Sequence, residues 1–221
     1  MRRALCVGID LYTFGPLRGC VSDAERIATL LAKHEDGKPN FDCRTLKATL
    51  DGRGDKIGRA ELRRAVKDLF KQPADVALLH FSGHGTVNDL DGYLVTQDAT
   101  AYDEGLAMSE ILKMANDSKT EEVVVLLDCC YAGNLGNPPV VNNARAMLRE
   151  GVWILTASRD GQVSVETTDG GLFTSLVGDA LEGGGADVLG DVTAPSIYAF
   201  VEGALGAWDQ RPLFKSHVSK V

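Results

Sequence analysis

Residues 121–130, EEVVVLLDCC, decide how the rest of the chain is read. Five consecutive apolar residues follow two glutamates, and three of them are valine. A β-branched run this short and this apolar predicts a strand buried on both faces, the hallmark of a parallel sheet covered by helices. The run ends abruptly in Asp128-Cys129-Cys130-Tyr131-Ala132-Gly133, a polar, cysteine-bearing tip.

Working outward, further runs of the same kind alternate with helix-period segments. RALCVGI (3–9), DVALLHF (75–81) and GVWILTAS (151–158) read as strands, CRTLKATL (43–50) as a weaker one and GYLVTQD (92–98) as a short one. PLFKSHV (212–218) suits an edge strand, with Pro212 at its start. Helices are predicted over 23–34, with Ser22 as N-cap and Ile27, Leu30 and Leu31 inward. Others are predicted over 58–70 (Leu62, Val66, Leu69, Phe70 inward), 108–117, 172–183 and 196–208. This alternation implies α/β architecture with helices on both faces of the sheet. The glycine-rich stretch 181–191 has no phosphate-loop spacing and reads as a loop.

The 221 residues suffice for one large α/β domain, and a net charge of −8 supplies no basic surface for nucleic acid. No apolar run approaches the ~18 residues of a membrane span, and ALCVGI (4–9) is too short for a signal-peptide core. An odd count of five cysteines fits reduced thiols in the cytoplasm. Phosphate-loop, dinucleotide and GxSxG signatures are absent, as are CxxC and HExxH, so neither a cofactor nor a metal is expected. His80 is expected at the core end of its strand.

In open parallel sheets, ligands sit at the carboxyl ends of strands. The 75–81 strand ends in Ser82-Gly83-His84-Gly85. If it neighbours the 121–127 strand, an imidazole and a cysteine share one rim. A thiolate can attack a carbonyl carbon while an imidazole protonates the leaving amine. Glycine after the histidine lets the Gly85 N–H approach an oxyanion together with the nucleophile's own N–H, where one donor is worth roughly 3–4 kcal/mol. A lone strand-end histidine is most often structural and a lone buried cysteine most often packing. Two such residues at the ends of successive strands, each followed by glycine, point to a site.

HFSGHG (80–85) followed by LLDCCYAG (126–133) resembles the caspase and metacaspase cysteine peptidases. The resemblance extends through ALCVGID, LRGCVSDAERIATLL, ILTASRDGQVSVE, GGLFTSLVGDAL and QRPLF. It implies a caspase-like three-layer α/β sandwich with a mainly parallel six-stranded sheet, formed by residues 1–221 as a single domain and expected to be the catalytic part of a longer polypeptide. By the match, His84 is the catalytic histidine and Cys130 the nucleophile. Gly85 and Cys130 supply the oxyanion donors.

True caspases, which cleave after aspartate, begin the nucleophile loop with glutamine; here Asp128 stands there. Metacaspase-like relatives cleave after Arg or Lys and carry Gly-Cys-x-x-Asp before the first helix, matched by Gly19-Cys20-Val21-Ser22-Asp23. The resemblance therefore implies that Asp23, Asp128, Ser82 and Cys20 line a pocket for a basic P1 side chain of a peptide or protein substrate. Read alone, Asp23 is an acid in a helix's first turn and Asp128 a carboxylate that orients the cysteine loop.

Many metacaspases need calcium, but here the expected paired acids align near Met108-Ser109. Asp98, Asp103 and Glu104 remain, and chelators are expected to leave activity largely intact. Arg145 and Arg149, in the loop after the nucleophile, suit self-cleavage after Arg145; the plainer reading is a solvated loop. Two rival functions are an idle caspase-like scaffold, opposed by the dyad, and a protease with acidic P1, opposed by Asp128. A regulatory partner remains open.

Overall fold

The computed structural model describes residues 1–129, 148–157, 166–167, 170–205 and 212–216. The strand over 121–130 runs as β7, Glu122–Asp128, at the middle of a six-stranded sheet. Its neighbours are β3 (Val76–Ser82) and β8 (Val152–Thr156), both parallel to it. β1 (Arg2–Ile9) lies beyond β3, and β2 (Phe41–Ala48) forms one edge. The other edge is β11, Leu213–Ser216, the one antiparallel member, which pairs with β8. The order is β11-β8-β7-β3-β1-β2.

Period-two alternation divides each central strand between two cores. Leu5, Val7 and Ile9 of β1, Leu79 and Phe81 of β3, and Val123, Val125 and Leu127 of β7 face α2 (Arg59–Lys71) and α3 (Met108–Asp117). Ala4, Cys6, Leu78, Val124 and Leu126 face α1 (Cys20–Ala32), α4 (Leu172–Asp179) and α5 (Ala194–Leu205). The result is three layers. By the same alternation His80, Ser82 and Asp128 belong to the α1/α4 side, where the site forms.

The structure differs from the sequence reading in several places. Helix α1 starts at Cys20, before the expected Ser22 cap, because Asp10 reaches across to accept the N–H groups of Cys20 (2.9 Å) and Val21 (3.4 Å). Leu30 is only partly buried, while Ile27 and Leu31 are inside. The short strand expected over 92–98 is present as β5 (Gly92–Thr100), but it belongs to a second, antiparallel sheet, with β4 (Gly85–Val87) and β6 (Asp103–Ala107) as its unexpected partners. Helix α4 ends at Asp179 in a wider turn over Ala180–Gly184, and a short hairpin, β9 (Glu166–Thr167) with β10 (Gly170–Gly171), precedes it.

The chain leaves β1 for β2 on one side and continues to β3 on the other. The crevice outside the carboxyl ends of β1 and β3 is therefore the switch point where ligands bind in open α/β sheets.

Candidate active site

Two groups of polar side chains line that crevice. The first is acidic. Asp23 comes from the first turn of α1, Ser82 from the end of β3, and Asp128 from the end of β7, in register with Ser82. All are buried, as is Cys20. One carboxylate oxygen of Asp23, Oδ2, accepts the Ser82 hydroxyl at 2.9 Å and the Gly171 N–H at 3.1 Å. Oδ2 of Asp128 accepts the Thr174 N–H at 3.1 Å and its hydroxyl at 2.7 Å.

The hairpin strand β10 passes so close that its residues must be glycine. A Cβ on Gly170 would stand 2.2 Å from Asp23 Oδ1, and one on Gly171 would stand 2.0 Å from Asp128 Oδ2. Burial, and then the neighbouring Asp128 charge, push the Asp23 carboxyl up to about 7. Burial and three nearby carboxylates (Asp10, Asp23 and Asp128) hold the Cys20 thiol far above the ordinary cysteine range, against a hydrogen bond with Ser82. Cys20 is thus a packing thiol of the acidic cluster rather than a nucleophile.

The second group surrounds His84. Its Nε2 lies 2.7 Å from the Gly15 carbonyl oxygen. A carbonyl only accepts, so Nε2 carries the proton and Nδ1 of the neutral ring is the basic nitrogen. Tyr12 and Phe14 hold the ring, with centroids at 4.7 and 5.6 Å. The buried Tyr12 hydroxyl accepts the His84 N–H (3.1 Å) and donates to the Val95 carbonyl (3.2 Å), wedged into the β4–β5 ladder. The His84 carbonyl takes the Val95 N–H at 3.0 Å, and Gly85 pairs with Leu94 at the next position. Antiparallel alternation then turns the Gly85 N–H away from β5. Gly83 has to be glycine because a Cβ there would stand 2.6 Å from the Tyr12 hydroxyl.

The sequence model of the caspase domain family matches residues 1–220. The chain belongs to the caspase domain family. Metacaspase-1 of Eremothecium gossypii is 27% identical over a 199-position alignment that covers 79% of this chain and 42% of the relative. Metacaspase-1B of Aspergillus fumigatus is 29% identical over a 171-position alignment that covers 67% of this chain and 40% of that one. The chain thus spans well under half the length of these curated relatives. A solved Geobacter sulfurreducens protein superposes with a TM-score of 0.69 at 18% identity, covering 100% of this chain and 95% of that one. Caspase-1 of Spodoptera frugiperda gives 0.67 at 15%, covering 100% and 87%. Both structural likenesses concern the fold.

Within this caspase domain, Asp23, Cys20, Ser82 and Asp128 share one cluster, and His84 and Gly85 stand at the start of β4 beside it. Cys130 lies outside the described residues, as does Arg145. The Gly83 N–H bonds the Asp128 carbonyl at 3.3 Å, so β3 and β7 remain side by side where they leave the sheet. The sequence alone does not single out Tyr12, Gly15, Thr174 or the Gly170-Gly171 pair. The GGLFTS stretch (170–175), with its paired glycines beside a threonine, was the signal available for the last three.

The acids weighed for calcium have other duties. Asp98 caps α2, accepting the Arg59 N–H at 2.9 and 3.2 Å, and Asp103 pairs with the Arg59 guanidinium at 2.6 Å. Glu104 accepts from Asn88 at 3.1 Å. Among the described residues no group of three or more His, Cys, Asp or Glu side chains is arranged to hold a metal ion, and no helix is long and apolar enough to cross a membrane. Arg149 is tied to the carbonyls of Thr120 (2.6 Å), Glu121 (3.3 Å) and Glu150 (2.6 Å), so its guanidinium is held by the fold rather than simply solvated.

Proposed function

We propose that this caspase domain is an endopeptidase that uses Cys130 and His84 to cut after arginine or lysine. The observation that carries the reading is the pair of buried acids, Asp23 and Asp128, one of them pushed up to about 7 partly by the other. A guanidinium or ammonium entering between them offsets both their burial and their mutual repulsion. An aspartate side chain entering there would add a third like charge.

The chemistry follows from the imidazole half. Cys130 gives its thiol proton to Nδ1 of His84, because Nε2 is already bound to Gly15. The sulfur adds to the scissile carbonyl carbon, and the oxygen takes the negative charge. The outward N–H of Gly85 and that of Cys130 receive it. The imidazolium returns its proton to the leaving amine, the C–N bond breaks, and water then hydrolyses the thioester. The Ser82–Asp128 register supports this pairing: His84 and Cys130 each follow it by two residues. Residues 1–221 are proposed to act as one such domain. Among the described residues Cys6, Cys20 and Cys43 are free thiols, which suits a reducing, cytoplasmic setting.

The test is a fluorogenic tetrapeptide panel varied at P1, with Cys130→Ala as the blank. Turnover of Arg and Lys substrates and none of Asp substrates is expected. Strong Asp turnover would overturn the pocket assignment. Failure of an arginyl chloromethylketone to label Cys130 would favour the idle scaffold.

A further inference from the structure

Behind Asp128 the structure holds a second residue that neither the fold nor the dyad chemistry needs. His80 is fully buried on β3, and its Nε2 lies 3.2 Å from the Thr174 hydroxyl oxygen. That hydroxyl has one proton, and the 2.7 Å contact to the acceptor-only carboxylate of Asp128 takes it. Thr174 Oγ1 must therefore accept from His80, so the ring carries its proton on Nε2. Nδ1 is then bare, and it is a buried atom with no hydrogen-bond partner among the described residues. A buried polar atom left unpaired needs an explanation, since leucine would fill such a position without it.

Resting on the peptidase reading above, we propose that Thr174, held by His80, is a positioning residue that fixes the Asp128 carboxylate for the planar fork of a P1 guanidinium and so sets the preference for arginine over lysine. Three physical points support it. A threonine hydroxyl in a helix can instead turn back to a carbonyl of the preceding turn. The His80 Nε2–H, donated to one lone pair of that hydroxyl, holds the oxygen in the orientation from which its proton reaches Asp128. Thr174 also lies in the first turn of α4, where the N–H groups favour an anion, and its own N–H holds the same carboxylate oxygen at 3.1 Å. Finally, burial pushes His80 down to about 3, so the ring stays neutral at working pH. It orients the carboxylate without neutralising it. Bidentate guanidinium recognition demands a fixed carboxylate plane, whereas an ammonium is a point charge tolerant of rotation.

The test compares Thr174→Val, which keeps the shape and loses the hydroxyl, with Thr174→Ser, which keeps the hydroxyl. Steady-state kinetics on matched Arg-P1 and Lys-P1 peptides are read beside the rate of Cys130 alkylation by iodoacetamide and the melting temperature. Thr174→Val is expected to lower kcat/KM for arginine by about ten- to a hundred-fold, the worth of one hydrogen bond to a charged group, and that for lysine clearly less. Alkylation should be unchanged and Thr174→Ser close to wild type. His80→Leu against His80→Gln, which retains a donor near the Nε2 position, carries the same comparison from the other end if the valine variant does not fold. An unaltered Arg-to-Lys ratio in Thr174→Val and His80→Leu, with wild type active, would overturn this inference alone. Wild type that cleaves neither peptide would overturn the peptidase reading and this inference with it.

Discussion

The two halves of the crevice are built by opposite means. In the acid half, Ser82, Asp23, Asp128 and Cys20 are 2–6% exposed. Donors from three elements reach its carboxylates: β3 (Ser82), β10 (Gly171) and α4 (Thr174). In the imidazole half, His84 is only half-buried, and Phe14, which packs on its ring, is 58% exposed. The acid half is organised to hold charge where water is scarce, and the raised Asp23 carboxyl records the cost. The imidazole half is open to solvent and has one proton position settled. On the proposed reading, selection of the side chain and cleavage of the bond are separable, and mutations should sort accordingly.

The largest effect should come from the imidazole half. His84→Ala is expected to lower peptide turnover by about 10⁴-fold, since residues acting as one unit fail together. Benzamidine binding, followed by calorimetry on Cys130→Ala with and without this change, should stay intact. Loss of that binding would mean the halves are not separable.

Next comes Asp23→Asn. Truncating one partner of a buried charge pair costs about 2–5 kcal/mol, roughly thirty- to several-thousand-fold in kcat/KM for arginine peptides. Iodoacetamide should still alkylate Cys130 at the wild-type rate. A variant that retained arginine turnover would remove Asp23 from the pocket.

The pH dependence sharpens the same contrast. Asp23 must be ionised to bind a cation, so kcat/KM for basic peptides should rise with pH through a limb near 7. Stability runs the other way. Between the ordinary aspartate value of 3.8 and about 7 the folded chain binds the proton and the unfolded chain does not. Stability linked to Asp23 is thus lost as pH rises through that window, and Asp10, also raised by burial, adds in the same direction. Melting temperatures of wild type and Asp23→Asn across pH 4–8 should converge toward the acid end. Parallel curves would contradict this.

The smallest expected change is Tyr12→Phe. It removes the hydroxyl between the His84 N–H and the Val95 carbonyl, a loss of about 1 kcal/mol per bond. Turnover should fall by about ten-fold or less with the Arg-to-Lys ratio unchanged. A shift in that ratio would show that the halves communicate through this ring.

The central sheet could be read directly from the sequence because buried parallel strands are apolar on both faces, as in Val123–Leu127. The small sheet could not, because β4 has three residues and β6, DEGLA, shows neither period cleanly. The start of α1 escaped the local capping rule because its cap, Asp10, is ten residues away from Cys20 across a loop. The acids and His84 could be found from their motifs. Thr174 and Tyr12 could not, since their roles exist only when residues 46 and 72 positions apart come together. His80 gave a strand-core signal and nothing of its hydrogen bond.

The oxygen that settles the tautomer of His84 belongs to the main chain of Gly15, so no side-chain exchange can delete it. An alanine scan of residues 11–18 would pass over it, reporting only whatever Tyr12 and Phe14 contribute. Its worth would emerge from lengthening or shortening that loop by one residue, which withdraws the carbonyl while leaving every titratable group in place. A part of the machinery is thereby stored in the length of a loop and shielded from drift in its composition.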